Sequence, residues 1–125
     1  MPRRTPKQLA LLILLAVLVV RHGHSTELVF QEQISISRSL AGRVLVAATE
    51  ESFQGATVEL CSSDWKNVRA STTTDARGYF SLEQPRRERL FYVRVSAPGM
   101  NMYELRVRIN KHATKELKIP LSIAT

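Results

Sequence analysis

Few residues of this chain combine the types and spacing that catalysis or metal binding requires. Beyond residue 25 there is one histidine, His112 in the polar segment NKHAT, and one cysteine, Cys61. Metal sites built on histidine and cysteine need several converging ligands, which these two residues do not supply. Nucleophile-elbow and phosphate-cradling glycine motifs are also absent from the sequence. We therefore expect no catalytic residue, no metal and no cofactor, and we predict that the protein is not an enzyme.

Trp65 is the strongest candidate for ligand binding. It lies in the polar loop SSDWKN, between Asp64 and Asn67. An exposed indole can stack on a sugar ring while neighbouring polar groups bind its hydroxyls. The other interpretation is that Trp65 folds over one end of the core. The exposure of its side chain distinguishes the two.

A second candidate is the arginine-rich run PRRER, in which Arg86, Arg87 and Arg89 surround Glu88. These arginines could meet an anionic surface such as lipid head groups or acidic polysaccharide. A solvated hairpin tip would have the same composition. No aromatic residues are interleaved with the bases, so we expect no nucleic-acid binding. Three more arginines could add to a basic sheet face: Arg94, Arg106 and Arg108.

Residues 1–25 have the layout of a secretory signal peptide. A basic start precedes an apolar run from Leu9 to Val20, and small residues follow at Gly23 and Ser25. The run is 12 residues long, whereas a membrane-spanning helix needs about 20. We expect a hydrophobic signal helix that is cleaved after Ser25, which makes the protein secreted, periplasmic or part of the cell envelope. An uncleaved, membrane-tethered form is the alternative.

Removal of that segment changes the charge balance. The chain has 18 Lys and Arg against 11 Asp and Glu, and residues 1–25 hold four of the bases and none of the acids, so the remainder carries 14 against 11, a net +3. That value does not indicate a nucleic-acid partner. A lone cysteine in an exported protein allows no internal disulfide. We expect Cys61 to be a small, partly buried apolar residue, with an intermolecular disulfide as the alternative.

From Leu40 onward, short alternating segments separated by turn signals are typical of a β-sandwich. In the stretch TTTDARGYF, Asp75 can accept backbone hydrogen bonds and Gly78 can take a positive φ, which together predict a hairpin turn. The alternation predicts antiparallel sheets with one solvated face and no helix beyond the signal segment. An N-terminal extension, residues 26–39, could begin a strand at Ile34 and Ile36. The seven predicted strands span 43–47, 56–61, 68–74, 78–82, 90–96, 103–109 and 116–123.

The same segments resemble the carboxypeptidase regulatory-like domain over residues 40–123. The resemblance implies a transthyretin-like (prealbumin-like) β-sandwich, close to starch-binding and other carbohydrate-binding-like modules, which usually accompanies a peptidase, receptor or adhesin. The zinc spacing of that peptidase is absent, and the chain ends in LSIAT rather than the Tyr-Arg-Gly-Ser of hydroxyisourate hydrolases. The matching residues are Gly42 and Val44; Gly55, Ala56, Val58 and Leu60; Thr74, Asp75, Gly78 and Phe80; Val95, Pro98 and Gly99; and Leu117 to Leu121.

Two functions follow for the predicted domain, residues 40–125. The first is a non-catalytic, exported structural or interaction module that engages an envelope or extracellular protein through a sheet face or edge strand. A homodimer through an edge strand is a variant of it. The second is a small carbohydrate-binding module centred on Trp65, with polysaccharide as its partner. Membrane contact is expected only through an uncleaved signal segment.

Overall fold

The computed structural model describes residues 18–20, 28–31 and 34–125, and these residues form ten strands and no helix. Nothing within those ranges has the length and apolar character of a membrane-crossing helix. The strands are β1 (Leu18–Val20), β2 (Leu28–Gln31), β3 (Ser35–Ser37), β4 (Ala41–Val46), β5 (Thr57–Cys61), β6 (Val68–Thr73), β7 (Tyr79–Ser81), β8 (Leu90–Ser96), β9 (Met102–Ile109) and β10 (Leu117–Leu121).

Two sheets of unequal size contain these strands. The large sheet has the order β1-β2-β9-β8-β5-β6, and the small sheet has the order β10-β4-β7. Strand β3 also pairs with β9, at Val107–Ile109, whereas β2 pairs with Met102–Glu104 of the same strand. All seven strands predicted from the sequence are present, as β4 to β10. The count of seven is not confirmed, because the described part of residues 1–39 contributes three more strands to the large sheet.

The prediction of purely antiparallel sheets was wrong. Three pairings are parallel: β2 with β9, β3 with β9, and β4 with β10. Alternation along a strand reports which face is buried, but not which strand lies beside it or in which direction. The connection 110–116 crosses from the end of β9 in the large sheet to the small sheet. Strand β10 therefore starts at the same end of the sandwich as β4, and the two strands are parallel.

The predicted signal peptide and its cleavage after Ser25 lie outside the described residues, with one exception. Residues Leu18–Val20 pair antiparallel with Leu28–Phe30, so this described part of the predicted signal helix is extended rather than helical. Val19 and Val20 are β-branched, which favours an extended backbone.

The core lies between the inner faces of the two sheets and follows the predicted alternation. Phe91, Val93 and Val95 of β8 are buried, and alternate residues of the neighbouring strands face them. Burying each such side chain contributes about 1.5–3 kcal/mol. The alternation of the predicted strand 116–123 puts Ile123 on the same face as the buried Leu121, but Ile123 is 64% exposed, because β10 ends at Leu121 and Ile123 instead forms an isolated bridge with Met100.

The hairpin turn between β6 and β7 is built as predicted. Oδ1 of Asp75 accepts hydrogen bonds from the backbone N–H groups of Arg77 and Tyr79, each at 2.9 Å. Gly78 has φ of 80° and lies so close to β4 that a Cβ there would be 2.6 Å from the Val44 carbonyl oxygen. Asp75 therefore has a structural role in the turn.

Candidate functional site

The Trp65 loop, residues 62–67, is closed by its own polar groups. The Ser62 N–H donates to the Asn67 carbonyl at 2.9 Å, and the Asn67 N–H donates to the Ser62 hydroxyl at 3.1 Å. Asp64 accepts from the Ser62 hydroxyl at 2.6 Å and from the Lys66 N–H at 3.0 Å. The hydrogen bond from Ser62 is the main cause that lowers the pKa of Asp64 below its ordinary value. The Asp64 and Asn67 side chains are exposed, but Oδ1 of Asp64 is engaged within the loop.

The backbone at Trp65 is left-handed, with φ of 68°. That conformation costs a residue other than glycine about 1–2 kcal/mol. A contact from the sheet stabilises it, since Nη2 of Arg94 donates to the Trp65 carbonyl at 2.7 Å. The loop is therefore tied to β8.

The indole of Trp65 lies on the outer face of the large sheet, which is the face turned away from the core. Its ring meets the ring of Tyr92 edge-on, with centroids 5.4 Å apart and an interplanar angle of 87°. The Arg94 guanidinium carbon is 5.7 Å from the indole centroid. The side chain is half-buried. Trp65 is thus neither a lid on the end of the core nor a freely projecting platform.

A charged row crosses three strands beneath the indole. Arg94 faces Glu59 of β5 and Glu104 of β9 in register, with shortest N–O distances of 3.5 Å and 3.1 Å. Glu104 is 2% exposed. Alternation with Leu105 and Val107 puts Glu104 on the outward face, and its burial could not be predicted because it depends on the register between strands. Arg94 is held by two carboxylates and is not available to a basic sheet face.

Cys61 lies on the same outer face, opposite Tyr92, and is 0% exposed with a free thiol. Burial is the main cause that raises the pKa of its thiol above the ordinary value. A protonated, inaccessible thiol is a poor nucleophile. Cys61 therefore acts as a small buried residue, as the first interpretation held, and it is not placed to form an intermolecular disulfide in this conformation.

The PRRER run is fixed to strand β6 through its acid. Glu88 accepts from Arg69 with both oxygens, at 2.6 Å and 3.3 Å. Arg69 points toward it because the β5–β6 register shifts between Leu60 and Cys61, which leaves Arg69 without a partner residue on β5. The three arginines of the run, Arg86, Arg87 and Arg89, are all exposed.

The polar groups suited to catalysis or metal binding do not converge in the part of the chain that the structure describes. His112 is exposed, and its backbone N–H donates to Asn110 Oδ1 at 2.9 Å in a surface turn. Among the described residues no group of three His, Cys, Asp or Glu could hold a metal ion. The candidate sites are therefore surfaces: the Trp65 loop, the exposed arginines and the strand edges.

The comparisons with known proteins bear on the fold. A family model described as the carboxypeptidase regulatory-like domain matches residues 39–122. No curated protein matches the chain. The matched range spans more than half of the chain and begins where β3 gives way to β4.

Proposed function

The chain belongs to the carboxypeptidase regulatory-like domain family, and from that premise we propose that it is a non-catalytic exported module that binds another protein by strand addition. The partner is an envelope or extracellular protein, and the binding element is strand β6. The observation that carries the proposal is the open backbone edge of β6.

Strand β6 ends the large sheet and pairs only with β5 among the described strands. The Thr74 N–H donates to the Ala56 carbonyl at 3.0 Å, so residues an even number of positions away, Thr72 and Ala70, also direct their backbone groups toward β5. The N–H and C=O groups of Ser71 and Thr73 consequently point outward. An extended partner segment can hydrogen-bond to them, as in other cases of β-augmentation.

The two edges of the small sheet are less suited to this role. Strand β10, an edge of the small sheet, contains Pro120, which has no N–H to donate. Strand β7 has three residues. Strand β6 has six, without proline, and its β-branched threonines favour an extended backbone.

A groove beside β6 has space for side chains of an added strand. Its volume is about 340 Å³, and it is lined by Arg69 and Ala70 of β6 and by the buried Leu60 of β5. Its far wall is the start of the connection from β7 to β8, Glu83 to Pro85. A small apolar side chain on the added strand, facing the core side, would enter this groove. Backbone pairing would provide affinity, and the groove would provide selectivity.

Export and lack of catalysis are supported by the sequence. The signal-peptide layout of residues 1–25 supports export. A non-catalytic role is supported by the presence of a single histidine, His112, beyond residue 25. The family usually accompanies peptidases, receptors or adhesins, which fits a binding module.

The test is site-specific photo-crosslinking of the full chain in its native cells. We expect a crosslinker at the exposed Thr73 to give one discrete protein adduct, and a crosslinker at the exposed Lys118 on the small sheet to give none. Ser71→Pro removes an N–H that points away from β5, a substitution that an edge strand tolerates, so the variant should fold and lose the adduct at Thr73. Adducts that are equal at both positions, or that persist in folded Ser71→Pro, would contradict strand addition.

A second candidate function, polysaccharide binding at Trp65, is favoured by one observation: the indole is held in place by Tyr92 and Arg94 while part of it stays accessible. A fixed aromatic surface loses little entropy when a sugar ring stacks on it. The full chain should then be retained on insoluble polysaccharide, and folded Trp65→Ala should not. Tyr79→Ala, which removes an exposed aromatic from the small sheet, is the matched control. Equal retention of both variants would exclude the Trp65 site.

A further inference from the structure

The two ends of the sandwich carry charges of opposite sign. Three basic connections, residues 38–40, 82–89 and 110–116, meet at the end where β3, β7 and β9 finish. They lie beside the Trp65 loop, in which Asp64 and Lys66 cancel in net charge. The three connections hold six Lys and Arg against three Asp and Glu, a net +3. Residues 47–56, 74–78, 97–101 and 122–125 at the opposite end hold one base against three acids, a net −2. We call the surface formed by the three basic connections the basic end, and its six bases are Arg38, Arg86, Arg87, Arg89, Lys111 and Lys115.

Backbone hydrogen bonds hold the three connections together as one surface. The Ile109 N–H donates to the Arg89 carbonyl at 2.7 Å, and the Asn110 N–H donates to the Ser37 carbonyl at 2.8 Å. Arg38, Arg89 and Lys111 therefore belong to adjoining segments, although they are far apart in sequence. All six bases are exposed.

The acid within the PRRER run does not offset its arginines. Glu88 is bound by Arg69, whose Nη2 is 2.6 Å from Oε1, and Arg69 belongs to β6 rather than to the basic end. The ion pair orders the connection and leaves Arg86, Arg87 and Arg89 directed to solvent. The surface is thus more positive than its composition alone indicates.

A cleft of about 370 Å³ opens at the same end, between residues 37–41 and 113–116. Its charged lining residues are Arg38, Lys115 and Glu116, and Tyr79, which is 40% exposed, also lines it. Its volume is in the range of small-ligand sites, about 300–1,000 Å³. Two cations against one carboxylate leave the cleft a net positive charge, which suits a phosphate group.

We propose that the basic end docks on an anionic phospholipid surface, with a headgroup phosphate in the cleft between Arg38 and Lys115. Exposed apolar side chains beside the bases favour a bilayer over a soluble polyanion. Ile36 is 56% exposed and lies opposite the exposed Arg108 in the β3–β9 register, and Ile34 is also exposed. Isoleucines flanked by cations match the boundary between headgroups and acyl chains, whereas a polysaccharide gains nothing from them.

This inference does not rest on strand β6, and it goes beyond the expectation that the protein contacts a membrane only through its N-terminal segment. The acidic end would be repelled by the same lipids and would face away. The two charged ends therefore orient the sandwich with its strands directed toward the bilayer, and the edge of β6 stays open at the side.

The test is sedimentation of the full chain with phosphatidylcholine vesicles and with vesicles containing about 30% phosphatidylglycerol. The neutral vesicles report any binding through the apolar N-terminal run, which every variant shares. We expect tighter binding to the anionic vesicles, reduced by raising NaCl from about 50 to about 300 mM. Arg86→Ala/Arg87→Ala should weaken that binding roughly 30-fold, and Arg38→Ala/Lys115→Ala should weaken it by a similar factor.

The matched control is Arg77→Ala/Lys118→Ala, which removes the same charge from exposed positions outside the basic end. This pair should bind the anionic vesicles nearly as well as the unmodified chain does. An equal loss of binding to anionic vesicles in all three paired variants would show that only net charge matters, and it would overturn the proposal. So would binding of soluble dextran sulfate without binding of anionic vesicles, or full binding by folded Arg38→Ala/Lys115→Ala.

Discussion

Arg94 and Glu104 form an ion pair across β8 and β9, with Nε and Oε2 3.1 Å apart and Glu104 almost completely buried. The same guanidinium lies 3.5 Å from Glu59 on β5 and donates to the Trp65 carbonyl. One side chain thus connects three strands of the large sheet to the Trp65 loop. This arrangement makes the outer face an ordered part of the fold rather than a solvated surface.

Replacing Arg94 by methionine should destabilise the protein strongly. The variant keeps much of the side-chain volume but leaves two acids, one of them buried, without this cation, which typically costs about 3–5 kcal/mol. Urea denaturation measures the loss. Arg108→Met, at an exposed position on β9, should change the free energy of unfolding by less than about 0.5 kcal/mol.

A double-mutant cycle separates the ion pair from other effects of Arg94. Adding Glu104→Gln to Arg94→Met removes the buried charge, so the double variant should be more stable than Arg94→Met alone. If Glu104→Gln destabilises equally with and without Arg94, the two residues are not coupled and the ion pair does not contribute.

The effect on stability of the close packing of Gly78 against β4 can be measured by comparing alanine substitutions at Gly78 and Gly99. Their φ angles are 80° and 79°, so alanine suffers the same backbone strain at both positions. A Cβ at Gly78 would be 2.6 Å from the Val44 carbonyl oxygen, whereas a Cβ at Gly99 would meet nothing within 4 Å. We expect Gly99→Ala to cost about 1–2 kcal/mol and Gly78→Ala about 1–3 kcal/mol more, because overpacking is added. Equal unfolding midpoints in urea would contradict the contact.

Cys61 should make stability fall at alkaline pH. Burial raises the pKa of its thiol above 9.0, so above that pH the unfolded chain loses a proton that the native state retains. The stability that Cys61 contributes in this way is complete below the thiol pKa of the unfolded chain. It is lost as pH rises through the raised thiol pKa of the folded protein. Urea unfolding at successive pH values should show this decline, and Cys61→Ala should show a shallower one. An identical pH dependence in both proteins would refute the assignment.

Asp64 should hold Trp65 against the sheet. In Asp64→Ala, the Ser62 hydroxyl and the Lys66 N–H lose their acceptor, so the loop opens while the core stays intact. Trp65 is the single tryptophan, and its emission should shift to the red without a change in unfolding midpoint. The pKa of Asp64 is lowered, so in the unmodified chain the same emission shift should require a pH below the range in which an ordinary aspartate is protonated. An unchanged spectrum in Asp64→Ala would show that other contacts hold the loop.

Much of the fold was predictable because alternation and turn chemistry act locally. Val58 and Leu60 alternate with polar neighbours, so their strand and its buried face could be read directly. Asp75 and Gly78 marked the turn because each has a local conformational role. The site was less predictable: Trp65 was recognised as a candidate, but its contacts with Tyr92 and Arg94 depend on residues about 30 positions away.

The sequence by itself determined the strand segments of residues 40–123, their inward faces and the family, because these depend on short-range patterns of side-chain type. The tertiary structure alone decided the parallel pairings, the burial of Glu104 and the gathering of Arg38, Arg86 and Lys115 at one end. These features depend on strand register and on how the connections cross between sheets. Both are set by the packing of the whole chain, which leaves no local trace in the order of residues.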